Sequence, residues 1–99
     1  MNIKVVNKTK NNVKIEIEGE GHTFCNILQK TLLQDRDVEY AGYNVPHPLT
    51  NNSFLELKVK GSNKPEKILI TSAKKIGAEA EEFKEKIGQA LAKYSPKNE

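Results

Sequence analysis

The sequence predicts an α+β domain in which a four-stranded, mainly antiparallel sheet carries two helices on one face, in the order β-β-α-β-β-α. Two patterns carry this reading. Apolar and polar residues alternate over residues 13–18 and again over 55–60, which is the period of a strand with one dry and one wet face. Behind each pair of strand-like segments the spacing changes to the helical period, first over residues 24–33 and then over 69–94. A chain of 99 residues has room for one such domain, read as 1–99 with a frayed tail from about 95.

The first strand is read over residues 3–7, where Ile3, Val5 and Val6 make a short edge strand. Thr9, Lys10, Asn11 and Asn12 follow as turn chemistry, because asparagine tolerates left-handed backbone angles. Val13, Ile15 and Ile17 then alternate with Lys14, Glu16 and Glu18 and close a hairpin.

Gly19 and Gly21 mark a sharp turn into the first helix, and Thr23 is the expected N-cap. At about 100° per residue, Phe24, Cys25, Ile27, Leu28, Leu32 and Leu33 spread over roughly two-thirds of the circumference. Asn26, Lys30 and Gln34 form the continuous polar stripe. A helix lying on one sheet needs an apolar arc of only about 100° or a little more. The surplus predicts a second apolar neighbour, in this chain or in a partner.

Gln34, Asp35, Arg36 and Asp37 make a polar turn. Residues 38–45 read as a third strand with Gly42 as a bulge, ended by Pro46 and Pro48, which cannot donate to a ladder. Leu55, Leu57 and Val59 alternate with Glu56, Lys58 and Lys60 in the fourth. Gly61 to Lys64 break that pattern, and Pro65 suits the first turn of a helix. From there Leu69, Ala73, Ile76, Ala80, Phe83, Ile87, Ala90 and Tyr94 are spaced 4, 3, 4, 3, 4, 3, 4, a heptad-type seam. Read as one helix over 66–94, it runs about 43 Å, longer than so small a sheet can cover. Gly77 and Gly88 lie on a neighbouring face, as close backbone contacts or as tolerated weak points.

Composition supports a partner. Hydrophobic residues make up 36% and charged residues 29%, a balance that leaves a lone globule marginal. The net charge of +3 and pI near 9.0 raise a second reading, a small basic nucleic-acid-binding protein of chromatin or ribosome type. That reading needs cations gathered on one surface. Here the lysines are interleaved with glutamates, with local clusters only at Lys8, Lys10 and Lys14 and at Lys60, Lys64 and Lys67. A single cysteine suits a reducing cytosol. With no leader pattern and no apolar run near ~20 residues, the expectation is a soluble cytoplasmic protein without membrane contact.

No catalytic constellation emerges. His22-x-x-Cys25 has a metal-like spacing, but a structural zinc needs about four ligands and the chain holds one cysteine and two histidines. Cys25 near a helix N-terminus could be a nucleophile, yet no third orienting group accompanies it. Asp35 and Asp37 are loop chemistry, and Gly19-x-Gly21 lacks the remainder of a dinucleotide loop. The reading is no catalytic residue, metal, cofactor or small-molecule substrate.

Two blocks of sequence carry a resemblance. Gly19-x-Gly21-His22-Thr23-x-x-Asn26-x-Leu28 with Leu32, followed by Val38-Glu39-Tyr40-Ala41-Gly42-Tyr43-x-Val45-Pro46-His47-Pro48-Leu49, resembles the archaeal RNA polymerase subunit L family. That family is similar to the eleventh subunit of eukaryotic RNA polymerase II and to the dimerising part of the bacterial alpha subunit. The blocks cover about a third of the chain. Cys25 stands where many relatives carry a small residue such as glycine, and Gln29 where an arginine is usual.

The resemblance implies a non-catalytic assembly subunit of DNA-dependent RNA polymerase. It would pair through its two helices with a partner of related fold, the D-type polymerase subunit, and then carry the large subunits. Polymerase activity would belong to the complex, and DNA would be met only through it. The residues assigned to the partner face are Phe24, Ile27, Leu28 and Thr31 on the first helix and Ile76, Phe83, Ile87 and Tyr94 on the second. Leu32, Ala73, Ala80 and Leu91 are assigned to the chain's own core or to the seam between its helices, and His47 to contact with another subunit.

Overall fold

The structure is a computed structural model and describes residues 2–19, 22–46, 52–76 and 79–94. Its elements are β1 (Asn2–Lys8), β2 (Asn12–Glu18), α1 (His22–Leu33), β3 (Val38–Asn44), β4 (Asn52–Val59), α2 (Pro65–Ala73) and α3 (Glu79–Lys93). The strands form one sheet in the order β1-β2-β4-β3, and every neighbouring pair is antiparallel.

The alternation in β2 and β4 sets the register. Val13 lies opposite Leu57 and Ile15 opposite Leu55, and all four are buried on the inner face. Burying side chains of this size contributes about 1.5–3 kcal/mol each, and a one-residue slip would turn them all to water. The outer face is fastened by polar pairs instead. Asn12 Nδ2 on β2 donates to Glu56 Oε2 on β4, and Asn52 Nδ2 on β4 donates to Glu16 Oε2 on β2, both at 3.1 Å.

The edge strands carry the irregularities. In β1 the register shifts between Val5 and Asn7, so Val6 bulges and is left exposed. In β3 the shift falls between Val38 and Tyr40 rather than at Gly42, which corrects the expected bulge. Gly42 has another reason to lack a side chain: the Tyr40 ring lies across it, and an added Cβ would stand 2.8 Å from Tyr40 Cζ. At one end of the sheet, Val59 N donates to Asn11 O and Lys60 N to Asp37 O, both at 2.9 Å. Asn11 Nδ2 reaches Gly61 O there, where the glycine holds a positive φ of 60°.

Helix α1 begins at His22, so Thr23 lies inside the first turn and is not the cap; the preceding Glu20 and Gly21 are outside the described residues. The second correction is larger. The single helix expected over 66–94 is two helices. Pro65 opens α2 at its first turn, as expected, and its ring is buried. The helix closes with short-range bonds, Lys75 N to Ser72 O at 3.1 Å and Ile76 N to Ala73 O at 3.0 Å, the tighter winding common at helix ends. A straight helix of about 43 Å would outrun the molecule, whose longest extent is 35 Å. Broken in two, the segment returns α3 to the sheet beside β1. Gly77 and the side chain of Ala80 lie outside the described residues, as do His47 and residues 95–99.

All three helices lie on the inner face. Beneath them the core joins Val13, Ile15, Ile17, Leu55 and Leu57 of the sheet to Leu28 and Leu32 of α1, Leu69 of α2, and Phe83 and Ile87 of α3. Lys8 Nζ and Glu66 Oε1 pair at 3.6 Å between β1 and α2. At about a quarter exposed, such a pair contributes about 0–1 kcal/mol.

Candidate partner interface

The eight residues assigned to a partner face fall into two groups. Phe24, Leu28, Phe83 and Ile87 are in the chain's own core, the last three with no exposure at all. Ile27 stands out at 45% exposed, while Thr31, Ile76 and Tyr94 are half-buried around the rim of the helical layer. The expectation that the seam outruns its own sheet is therefore corrected at Phe83 in the free chain. The break after α2 brings it back, and its ring packs against Phe24.

On α1 the buried side runs through Phe24, Cys25, Leu28 and Leu32. Ile27 and Thr31 flank Phe24 on the helix surface, one turn apart, and Thr31 Oγ1 donates back to Ile27 O at 2.9 Å. Leu33, 53% exposed, lies on another side of the helix, about 120° round from Ile27.

Two contacts that orient α1 were not foreseen from the sequence. Gln29 Nε2 donates to Ala41 O at 3.0 Å, tying the helix to edge strand β3. His22 Nδ1 lies 3.2 Å from the Tyr43 hydroxyl, with the rings edge to face. The signal for Gln29 was its place between Cys25 and Leu33 on the helix surface, a polar side chain within the apolar arc.

The two residues of the metal-like spacing, His22 and Cys25, are placed differently from each other. Cys25 is buried with no exposure, packed as a small hydrophobe, and His22 is engaged with Tyr43 on the surface. Among the described residues no group of three or more His, Cys, Asp and Glu side chains is placed to hold a metal, and no helix is long and apolar enough to cross a membrane.

Comparison with known proteins places this geometry. Residues 12–86 match the family described as the RNA polymerase Rpb3/Rpb11 dimerisation domain. DNA-directed RNA polymerase subunit Rpo11 of Archaeoglobus fulgidus is 37% identical over 78 residues, 79% of this chain and 91% of that one. The subunit of the same name from Thermococcus kodakarensis is 39% identical over 87 residues, 86% of this chain and 93% of that one. The RNA polymerase II subunit RPB11 of Schizosaccharomyces pombe is 36% identical over 77 residues, 78% of this chain and 63% of that one. The fold is shared with the crystal structure of RNA polymerase subunit L from Thermoplasma acidophilum, at a TM-score of 0.67 and 22% identity, covering 95% of this chain and 96% of that one. The chain thus belongs to the Rpb3/Rpb11 dimerisation-domain family, in which its relatives are the archaeal Rpo11, or L, subunits.

Proposed function

We propose that this chain is a non-catalytic assembly subunit of DNA-dependent RNA polymerase, a single dimerisation domain over 1–99 that pairs with a D-type subunit of related fold. The observation that carries this is the dimerisation-domain match over residues 12–86, which takes in most of the sheet, α1, α2 and the first half of α3. The pair would form in the cytoplasm and serve as the platform for the large subunits, meeting DNA only through the assembled enzyme. Ile27 and Thr31 form the part of the proposed partner face already open on α1, with Ile76 and Tyr94 at its rim. Phe24, Leu28, Phe83 and Ile87 belong to the same proposed face and lie beneath that surface in the free chain. His47, by resemblance alone, is assigned to contact with another subunit.

The test is co-purification and titration with the D-type subunit of the same source. A tight one-to-one complex is expected. Ile27→Glu should weaken it at least tenfold by setting a charge into an apolar contact, while the melting temperature of the free chain stays unchanged. A wild-type chain that remains monomeric in the presence of that subunit at micromolar concentration would remove the proposal.

A further inference from the structure

The open side of α2 carries charge of one sign. Residues 64–75 hold four lysines and one glutamate, a net +3, which equals the formal net charge of the entire chain; the remaining 12 cations and 12 carboxylates cancel. The one glutamate, Glu66, is half-buried and paired with Lys8. The exposed residues of this stretch are Lys64, Lys67, Thr71, Lys74 and Lys75, and at about 100° per residue they share an arc of about 100°. Among the described residues, none of these four ammonium groups pairs with a carboxylate.

A solvated helix face is usually interleaved with acids, as in α3, where Lys84 stands among Glu81, Glu82 and Glu85. Helix stability accounts for only half of the lysines on α2. Lys74 and Lys75 stand at the C-terminal end, where the helix dipole favours cations, but Lys64 and Lys67 stand at the N-terminal end, where it opposes them. Lys64 also occupies the N-cap, and no side chain caps the helix there. On the same surface the half-buried Ile70 lies between Lys67 and Lys74, about one turn from each.

We propose that this face of α2 binds an acidic polypeptide segment, whose carboxylates meet Lys64, Lys67, Lys74 and Lys75 while an apolar side chain rests on Ile70. From Lys64 to Lys75 the face runs about 17 Å, the length of about five residues of extended chain. A nucleic acid fits it less well. Helix α2 packs against both α1 and α3 and is seated in the helical layer, so it does not project as a helix entering the major groove must. The face has no arginine to fork onto a phosphate and no aromatic ring on which a base could stack. Four lysines neutralise about four phosphates, which supports only non-specific binding, about micromolar or weaker. The inference does not depend on the pairing proposed above.

The test titrates the full chain at low ionic strength with a fluorescein-labelled peptide of two Asp-Glu-Leu-Glu-Glu repeats, with the same peptide carrying alanine for leucine, and with a dT oligonucleotide of equal charge. Two double variants are compared: Lys67→Glu with Lys74→Glu on α2, and Lys4→Glu with Lys58→Glu on the outer face of the sheet, which change the net charge equally at exposed positions. The leucine peptide should bind most tightly, and its affinity should fall at least tenfold with the α2 pair and less than about twofold with the sheet pair. In the wild-type chain the peptide should shift the amide resonances of residues 64–75, a readout that needs no variant to fold. Equal losses in the two variants would show that net charge alone acts and would overturn the inference. So would tighter binding of the oligonucleotide, which would make the face a nucleic-acid site, or peptide-induced shifts that fall elsewhere.

Discussion

Phe24 on α1 and Phe83 on α3 meet with ring centroids 5.4 Å apart and ring planes tilted by 52°, joining the first helix of the chain to its last. Such an aromatic pair adds about 0.5–1.5 kcal/mol beyond the area it buries. It is also the point at which the α3 part of the heptad-type seam is buried within the chain itself.

Phe83→Ala should therefore destabilise the free chain. Removing a fully buried aromatic side chain costs about 3–5 kcal/mol. At about 4–8 °C per kcal/mol for a domain of this size, melting should fall by roughly ten degrees or more. Ile15→Ala, on the sheet side of the same core, should cost about 2–5 kcal/mol with or without a partner. Thermal unfolding followed by circular dichroism checks both. A Phe83→Ala chain melting with the wild type would show that α3 is not part of the core in solution.

Gln29→Ala removes the donor that ties α1 to the Ala41 carbonyl. The expected loss is about 0.5–1.5 kcal/mol by urea denaturation, the usual contribution of one hydrogen bond. Because β3 is an edge strand, its amides should also exchange faster with solvent, while those of β2 stay protected. Uniform acceleration across the sheet would contradict a local role.

Gly88 offers a gain. It lies inside α3, and a Cβ built there meets nothing within 4 Å. Within the chain itself no close contact calls for a glycine here, and the helix-propensity cost of about 1 kcal/mol is left. Gly88→Ala should raise the stability of the free chain by about 0.4–1 kcal/mol, read from the urea midpoint. No gain would mean that α3 is not helical at this position in solution.

Nucleic-acid binding by the isolated chain should be weak. Lys14 and Glu56 stand opposite each other on β2 and β4, Lys14 also sits 5.8 Å above the Phe54 ring, and Lys8 faces Glu66. Cations so interspersed with carboxylates do not make a basic track. Filter binding near physiological salt should give a dissociation constant no tighter than about micromolar, with affinity falling steeply as salt is added. Nanomolar affinity there would revive the reading of a small basic nucleic-acid-binding protein.

The sheet was legible because its signal is local and strict. Val13, Ile15 and Ile17, and Leu55, Leu57 and Val59, alternate with polar neighbours, and only one face of a strand can satisfy that pattern. Helix α1 was legible in extent but not in its first residue, since Thr23 offers a hydroxyl at a position that the backbone has already made helical. The break between α2 and α3 was not legible. The seam from Leu69 to Tyr94 keeps its period through the break, and periodicity reports which residues share a face, not whether the backbone is continuous. For the same reason Phe83 and Ile87 could be recognised as contact residues, while the spacing gave no means of telling an internal contact from an external one. Gln29 escaped because hydrogen bonding to a strand edge depends on how far apart two elements are placed.

The position of β4 between β2 and β3 sets the order in which the chain can acquire its structure. The β1–β2 hairpin closes over a short turn and can form in microseconds. The β2–β4 ladder cannot, because the side-chain bonds that fasten it join residues 36 and 44 positions apart. The β3–β4 pair, consecutive in the chain and antiparallel, can also close locally, so the β2–β4 ladder is what joins the two halves of the sheet. The entropy of this closure falls on a single event, so the folding rate of the chain is the rate at which β4 finds β2.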